Sequence, residues 1–218
     1  MSLELPNAWP GLIEQGTDDW FTARLGKVTA SRVNDVMAKT KTGYSASRDS
    51  YMTQLVLERI TQTKAEGFTS QAMQWGVEQE IYALAAYQAH CGWDTDAVGF
   101  VPHPTIEMAG ASPDALVGDD GVVEVKCPES KGMLETLLTK KVPAKYFAQM
   151  QFQLSCTGRQ WADYVVFDPR MPPKAQLFVT RIPRDNAFIT EMEAEIVKFL
   201  AEVDSQVQQL NQYIESQP

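Results

Sequence analysis

Apolar residues recur every three to four positions through most of the first ninety residues, and this spacing predicts helices. Residues 17–26, TDDWFTARLG, are typical of a short capped helix. Residues 29–39, TASRVNDVMAK, predict a second helix with Thr29 or Ser31 available as its N-cap. A third helix is predicted over residues 51–60. The amino-terminal part of the chain is therefore expected to be largely helical.

The longest helical pattern runs over residues 70–90, SQAMQWGVEQEIYALAAYQAH. Its end is predicted at Gly92, because glycine is common just beyond the last turn of a helix. Glu80 is expected to lie next to the buried side of this helix. That apolar side is predicted to consist of Met73, Val77, Ile81, Leu84, Ala85 and Tyr87.

Beyond this helix the apolar period changes toward two, which indicates strands. Strands are predicted over residues 95–101, 114–117 and 122–127. Residues 118–121, GDDG, have the composition of a hairpin turn that joins the last two strands. The last strand is rich in valine and suits a half-buried position. Glu124 and Lys126 alternate with its valines, so both are expected on one strand face.

The remaining pattern alternates between the two periods. Helices are predicted over residues 131–140, 143–158 and 185–212, and strands over residues 161–167 and 175–182. This order predicts an α/β fold in which a mixed central sheet is flanked by helices. Because no repeat, low-complexity tract or linker interrupts the pattern, residues 1–218 are expected to form a single domain.

The composition is that of a folded globular protein, with 44% hydrophobic and 22% charged residues. No run of about 18 apolar residues is present to span a bilayer. The amino-terminal residues lack the basic and apolar regions of a signal peptide, so a cytoplasmic location is expected. The three cysteines are widely separated, which favours buried reduced thiols over a disulfide framework or a zinc site.

The charge is unevenly distributed along the chain. The formal net charge of −9 disfavours a nucleic-acid partner, because phosphate binding depends on Lys and Arg. However, residues 20–48 contain six basic residues and one acidic residue, whereas residues 185–218 contain seven acidic residues and one lysine. This asymmetry suits a protein that offers one surface to phosphates and keeps another acidic. A solvated acidic helix with scattered basic residues elsewhere is the alternative.

Asp114 and Glu124 are the candidate metal ligands. The predicted turn folds the strand that begins at Asp114 back against the strand that carries Glu124, so the two carboxylates are expected to approach each other. They repel unless a cation lies between them, and Mg²⁺ is commonly held by one or two carboxylates together with waters and substrate phosphates. Lys126, about 7 Å along the same strand face, is a candidate for orienting or deprotonating a metal-bound water.

Two other interpretations of this hairpin stay open. An ordinary surface hairpin also places Glu beside Lys, and an exposed pair of this kind contributes little stability. A glycosidase would use Asp114 and Glu124 as acid and base. Lys126 disfavours that reading, because its charge keeps both carboxyl groups ionised when one must carry a proton. An acid followed ten residues later by Glu-x-Lys is instead the D…(D/E)xK pattern of metal-dependent nucleases.

Four blocks of the sequence, in the same order, resemble the phage lambda exonuclease family, the YqaJ-type viral recombinase nucleases. They are EQGTDDWFTARLGKVTAS, WGVEQE, SPDALVGDDGVVEVKCP and AKYFAQMQFQLSCTGRQWADYVVFDPRM, within residues 14–171. The resemblance implies a restriction-endonuclease-like PD-(D/E)XK core and 5′→3′ digestion of one strand of duplex DNA to mononucleotides. It also implies a homotrimeric ring and two Mg²⁺ ions, with Mn²⁺ as a substitute.

The resemblance assigns roles around the expected metal site. The implied metal ligands are Asp114, Glu124 and the backbone carbonyl of Val125. Lys126 corresponds to the residue that positions the attacking water. Glu80 corresponds to a helix glutamate that approaches the same site, and Gln149 to a glutamine beside it.

A second set of residues is implied to hold the terminal 5′ phosphate, namely Arg24, Ser31 and Ser112. An arginine and hydroxyl groups near the start of a helix suit a dianionic phosphate. The loop of residues 39–50 matches the family loosely, so that a family arginine corresponds to Lys41, which attracts phosphate but cannot form a bidentate fork. Met73 is a candidate wedge at the duplex fork, with a core position as the alternative.

The main hypothesis is therefore a processive exonuclease that exposes a 3′ single strand for homologous recombination. Its expected partners are 5′-phosphorylated ends of double-stranded DNA, further copies of the chain and a single-strand annealing protein, in the cytoplasm of a bacterial host and without a membrane. The acidic outer surface is the candidate docking face for the annealing protein. A non-catalytic ring that binds DNA ends and serves as a platform for that protein is the alternative.

Overall fold

The structure is a computed structural model that describes residues 13–65 and 70–217. Within these residues the α-helices are α1 (Asp18–Arg24), α2 (Val33–Met37), α3 (Ala46–Thr61), α4 (Gln71–Cys91), α5 (Ser130–Thr139), α6 (Ala144–Thr157) and α7 (Asn186–Glu215). Short 3₁₀ helices cover Ala30–Arg32 and Pro173–Ala175. Helices therefore occupy most of the amino-terminal part, as predicted.

The strands of the described residues are β1 (Val28–Thr29), β2 (Lys39–Thr40), β3 (Gly43–Tyr44), β4 (Thr95–Asp96), β5 (Val101–Pro102), β6 (Ala109–Ala111), β7 (Ala115–Val117), β8 (Gly121–Lys126), β9 (Trp161–Phe167) and β10 (Leu177–Pro183). The main sheet has the order β10-β9-β8-β7-β4. A smaller sheet has the order β1-β6-β5, and β2 pairs with β3 alone. The main sheet is mixed, because β8 is antiparallel to β7 and parallel to β9.

Strand β8 lies inside the main sheet and is covered on both faces. Val123 and Val125 belong to an apolar cluster with Ala83 and Tyr87 of α4. Val122, on the other strand face, belongs to a larger cluster with residues of α6 and α7. Helices therefore flank both faces of the sheet, which confirms the predicted α/β arrangement. The strand is more deeply buried than the predicted half-buried strand, since only Lys126 is partly exposed.

Local sequence signals located several elements correctly. The hairpin of β7 and β8 forms around the predicted turn, with Val117 paired to Gly121. Strand β9 has the predicted bounds, and α6 ends at Gly158, whose φ of 72° is easily adopted by glycine. Helix α3 begins earlier than predicted, because the Ser45 side chain caps it by accepting from the Arg48 amide. The short strand β6 was not predicted.

The predicted cap of the second helix is wrong. Thr29 belongs to β1 and makes no side-chain cap hydrogen bond. The chain then passes through the 3₁₀ turn Ala30–Arg32, which contains Ser31, before α2 begins at Val33. Pairing of β1 with the unpredicted strand β6 explains the difference, because it extends the backbone where the local pattern indicated a helix.

The predicted buried side of α4 is only partly correct. Tyr87 is completely buried, as predicted, but Val77 and Ile81 are 75% and 70% exposed, and the unpredicted Ala83 is completely buried. The helix packs on the sheet through a small side chain and an aromatic one, and the Tyr87 hydroxyl donates to Asp163 Oδ2 over 2.7 Å. The side chain of Met73 lies outside the described part of the structure.

The acidic carboxyl-terminal helix packs partly against the basic segment. Helix α7 packs against α2 and α3. Its Glu202 accepts two hydrogen bonds from the buried Arg48 guanidinium, at 2.7 and 3.0 Å. Its Glu195 pairs with Lys39 at 2.7 Å. Two of the six basic residues of residues 20–48 are thus paired with α7, which leaves the predicted phosphate-facing surface to the other four.

The prediction of buried thiols is confirmed for two of the three cysteines. Cys127 and Cys156 are buried, Cys91 is half-buried, and all three are free thiols. Among the helices of residues 13–65 and 70–217, none is long and apolar enough to cross a membrane.

Candidate active site

The β7–β8 hairpin brings Asp114 against the strand that carries Glu124. Asp114 immediately precedes β7, and its amide donates to the Val123 carbonyl over 3.2 Å. Its side chain turns toward β8, where Oδ2 accepts from the Val125 amide over 2.6 Å. The turn therefore fixes the Asp114 carboxylate at the Val125 amide, on the strand that carries Glu124, which the sequence predicted it to approach.

Glu124 is completely buried and accepts hydrogen bonds from three side chains. Lys126 Nζ donates to its Oε1. Gln149 Nε2 also donates to Oε1, over 2.6 Å, and Gln153 Nε2 donates to Oε2 over 2.5 Å. A buried carboxylate is stable only when it is paired and hydrogen-bonded, and these three donors meet that requirement.

Helix α6 supplies two of these donors because of its spacing. Gln149 and Gln153 are four residues apart and so lie one above the other on the same helix face. That face lies on the side of β8 to which Glu124 and Lys126 point. Gln149 was predicted to lie beside the site, whereas Gln153 was not. The i, i+4 spacing of the two glutamines is the sequence signal by which Gln153 could have been found.

The carboxyl groups of the site repel one another. Burial, followed by the neighbouring Glu124, raises the pKa of Asp114 well above its usual value, although Lys126 opposes the rise. Burial and Glu124 also raise the pKa of Glu80, which places this residue of α4 in the electrostatic field of the site. The site therefore holds more acidic groups than Lys126 alone can compensate.

Burial disfavours the charged form of Lys126, but Glu124 and Asp114 outweigh it and raise the pKa above the usual value. Lys126 is therefore a cation at neutral pH. A protonated amine donates hydrogen bonds and stabilises negative charge, but it does not accept a proton. Of the two predicted roles of Lys126, orientation of a water is thus favoured over its deprotonation.

The donor set suits a hard divalent cation. Carboxylates and a backbone carbonyl are the oxygen ligands that Mg²⁺ takes, and Mg²⁺ keeps several waters. Within the described residues, no group of three or more His, Cys, Asp and Glu side chains is arranged to hold a metal ion. A site built from Asp114, Glu124 and a carbonyl of Val125 would thus rely on water or substrate for its other ligands, as Mg²⁺ sites commonly do.

Arg24 lies in a second site, a cavity of about 330 Å³ that is also lined by Ser31. Its guanidinium stacks on the Trp20 ring at 3.8 Å and donates to Ser112 Oγ over 3.2 Å. The Trp20 indole donates to the same Ser112 oxygen over 3.0 Å. The structure therefore brings Arg24, Ser31 and Ser112 into one neighbourhood, as the predicted phosphate pocket requires.

The electrostatics of this cavity suit an anion. Burial lowers the pKa of Arg24 to about 10, so the side chain is a cation held in a poorly solvated place. Among the described residues, no carboxylate lies within salt-bridge distance of Arg24. Glu58 also lines the cavity and interacts with Arg24 at longer range, so a bound phosphate would supply the direct opposite charge that Arg24 lacks.

Two other predicted DNA contacts are not part of this cavity. Lys41 is exposed between β2 and β3 and does not line it. The side chain of Met73 is outside the described residues, so its proposed place at the duplex fork stays a prediction. Trp20, which holds Ser112 and Arg24 together, was missed by the sequence analysis because a tryptophan in a short amphipathic helix resembles a core residue.

A comparison with known families identifies the family of the chain. Residues 19–160 match the profile of the family described as YqaJ-like viral recombinase domain. The chain belongs to this family. Since the matched segment runs from α1 to the end of α6, the YqaJ-like region contains both the Arg24 cavity and the Glu124 site. The resemblance predicted from the four sequence blocks is thereby confirmed.

Solved structures of relatives support the family assignment. Two structures of the alkaline exonuclease LHK-Exo from Laribacter hongkongensis, one in complex with dAMP, are 48% identical to the chain, with a TM-score of 0.86. The match covers 91% of this chain and 98% of that one. A phage-related exonuclease from Haemophilus somnus 129PT shares the fold at 15% identity, with a TM-score of 0.67, over 84% of this chain and 96% of that one. No curated protein sequence matches the chain. The YqaJ-like chain is thus similar to alkaline exonucleases, which implies a nuclease.

Proposed function

We propose that the chain is a Mg²⁺-dependent, processive 5′→3′ exonuclease that acts on double-stranded DNA. It would release 5′-mononucleotides and leave a 3′ single strand for recombination by single-strand annealing. The observation that carries this proposal is the link between the two sites. Ser112 contacts Arg24 in the cavity and lies two residues before Asp114. Two residues span at most about 7 Å, so an end phosphate held at Arg24 would lie close to the carboxylates.

The proposed cofactor is Mg²⁺, with Mn²⁺ as a substitute and two ions at the site. Asp114, Glu124 and the Val125 carbonyl would hold it, with Glu80 approaching from α4, in a core of the restriction-endonuclease-like PD-(D/E)XK type. When bound, Mg²⁺ lowers the pKa of water and stabilises charge on a phosphate. The alkaline exonuclease relative in complex with dAMP supports a mononucleotide product.

The chain's own residues would do the positioning. Lys126, held protonated by Glu124, orients a water and stabilises negative charge that develops on the phosphate. Gln149 fixes the Glu124 oxygen to which Lys126 also donates. Arg24, Ser31 and Ser112 hold the 5′-phosphorylated end, so that the strand advances by one nucleotide after each cleavage. Lys41 and Met73 are proposed to contact the incoming duplex.

Replacement of Lys126 by alanine tests the chemistry. We expect K126A to lose at least about a hundredfold in turnover while DNA-end binding persists, because removal of one electrostatic contact to the transition state has this effect. The matched control is K145A, since Lys145 is exposed and its ammonium lies 4.6 Å from the centre of the Tyr146 ring, which Lys126 approaches to 5.1 Å. Normal digestion by K126A would refute the mechanism.

The polarity of digestion is tested with end-labelled linear duplex in Mg²⁺ or chelator. The proposal expects release of the 5′ label first, no release in chelator, and faster digestion of 5′-phosphorylated than of 5′-hydroxyl ends. R24A is expected to abolish the preference for phosphate. Binding without digestion in Mg²⁺ by the unmodified protein would instead favour the non-catalytic end-binding ring.

A homotrimeric ring and an annealing partner complete the proposal. Exposed apolar side chains on α4 support contact between subunits, because Val77 and Ile81 are exposed to solvent in a single chain. A ring also explains how a chain with a formal net charge of −9 binds DNA, since basic side chains would line its channel. Exposed acidic side chains of α7, such as Glu191 and Glu215, are the proposed docking face for a single-strand annealing protein.

A further inference from the structure

Gln153 makes a contact at the candidate active site that packing alone does not explain. Its side chain is completely buried in α6, and its amide donates to Glu124 Oε2 over 2.5 Å. Its own carbonyl oxygen, Oε1, is buried and has no hydrogen-bond partner among the described residues. An unpaired buried carbonyl destabilises a fold, so an apolar side chain would be the more stable choice if Gln153 only filled space.

The three donors to Glu124 are not equivalent. Lys126 and Gln149 both bind Oε1, so together they anchor one end of the carboxylate. With one oxygen anchored, the carboxylate plane is still able to turn about that oxygen. The bond from Gln153 to Oε2 removes this remaining freedom.

We infer that Gln153 is a positioning residue that fixes the plane of the Glu124 carboxylate for divalent-metal binding. The inference rests on the proposed function, because it gives Glu124 the role of a metal ligand. Hydrogen-bond partners that orient a ligand typically change metal affinity about 10–100-fold when removed. Gln153 is therefore expected to act on metal affinity more than on turnover at saturating metal.

Gln151 provides a matched control on the same helix. It is also completely buried, but its amide donates to the Pro183 carbonyl over 2.9 Å and its oxygen accepts from the Asp185 amide over 2.8 Å. It thus holds the start of α7 and does not contact Glu124. Replacement of either glutamine by methionine preserves volume, so Q153M and Q151M test the same kind of buried position with and without the carboxylate contact.

The experiment measures Mg²⁺ binding by isothermal titration calorimetry without DNA, for the unmodified chain, Q153M, Q151M and D114N. We expect Q153M to raise the Kd for Mg²⁺ about tenfold and Q151M to change it less than about twofold. Excess Mg²⁺ should restore the turnover of Q153M. The Mg²⁺-induced rise in Tm gives an independent measure, and Q153L serves as the second variant if Q153M folds poorly.

The outcomes separate the inference from the function on which it rests. If the unmodified chain binds Mg²⁺, D114N does not, and Q153M binds as tightly as Q151M, the positioning role is refuted while the proposed function stands. If the unmodified chain and D114N bind Mg²⁺ equally, the metal site at Asp114 is refuted together with the role of Gln153. A selective loss in Q153M supports both.

Discussion

At the scale of single residues, the two central carboxylates affect the stability of the fold in opposite ways. The charge of Asp114 is expected to destabilise the fold, whereas the charge of Glu124 is expected to stabilise it. Asp114 accepts one backbone hydrogen bond, and burial and Glu124 disfavour its charge. Glu124 accepts from three donors and is the partner of Lys126. Asp114 is thus held near Glu124 despite electrostatic repulsion, whereas Glu124 is stabilised by the hydrogen bonds that it accepts.

We therefore predict that isosteric neutral substitutions change stability in opposite directions in metal-free buffer. D114N should increase the free energy of unfolding by about 1 kcal/mol, or roughly 2–4 °C in Tm for a domain of this size, because repulsion from Glu124 disappears while an acceptor for the Val125 amide remains. E124Q should decrease it by about 1–3 kcal/mol, because its NH₂ group would face another donor.

Chemical denaturation and calorimetry of the two variants check this prediction. Both variants are expected to lose nuclease activity, so activity alone does not distinguish them. If the free energy of unfolding shifts in the same direction in D114N and E124Q, the prediction is contradicted. Repulsion would then not dominate at Asp114, or hydrogen bonding would not dominate at Glu124. N186A serves as a surface control, since Asn186 is exposed at the start of α7.

At the scale of elements, the position of β8 depends on contact with β9 as well as on the hairpin turn. Gly121 begins β8 and is paired with Trp161 of β9. A Cβ atom at Gly121 would lie 2.1 Å from the Trp161 ring, which is in turn stacked on Arg181 at 3.4 Å. On the turn side, Arg159 Nη1 donates to the Gly118 and Gly121 carbonyls, each over 2.7 Å. The strand that carries Glu124 and Lys126 is therefore positioned from both sides.

We predict that G121A destabilises the protein by about 1–3 kcal/mol, the usual effect of adding volume to a packed position. W161A removes the obstructing ring, so the double variant should be more stable than the sum of the single effects predicts. Urea unfolding of the unmodified protein, G121A, W161A and the double variant gives the coupling free energy between the two positions. We expect it to be about 0.5–3 kcal/mol. Strict additivity would show that the ring of Trp161 does not restrict Gly121.

At the scale of the whole molecule, the exposed side of α4 is the proposed contact between subunits. Val77 and Ile81 are one turn apart on this helix and are largely exposed. Helix α7 carries Val197, a comparable exposed valine at 54%. These positions allow a subunit contact to be tested on the exposed side of one helix, with a control on another.

We predict that V77E/I81E keeps the fold but lowers the mass in solution from trimer to monomer, because a charge is poorly tolerated in an apolar contact. Processivity should fall with it, since a single chain does not enclose DNA. V197E is the matched control and should leave both unchanged. Light scattering and single-turnover digestion measure the two effects; an unchanged mass for V77E/I81E would place the contact elsewhere.

The sequence by itself determined what depends on neighbours along the chain. The turn residues after Val117 and the valines after Gly121 predict the hairpin, and the hairpin alone brings Asp114 to β8. The order of the four blocks identified the family, since these blocks carry the residues of both sites.

Only the tertiary structure decided which surfaces are buried. The parallel pairing of β8 with β9 and the packing of α6 placed Glu124 in the interior and brought Gln153 to it, over a separation of 29 residues. The same long-range packing exposed Val77 and Ile81, against the pattern of their helix, and paired Arg48 with Glu202, which is 154 residues away. Periodicity describes one element at a time, whereas burial depends on which distant elements cover it, and this explains why the local elements were predicted more accurately than their buried faces.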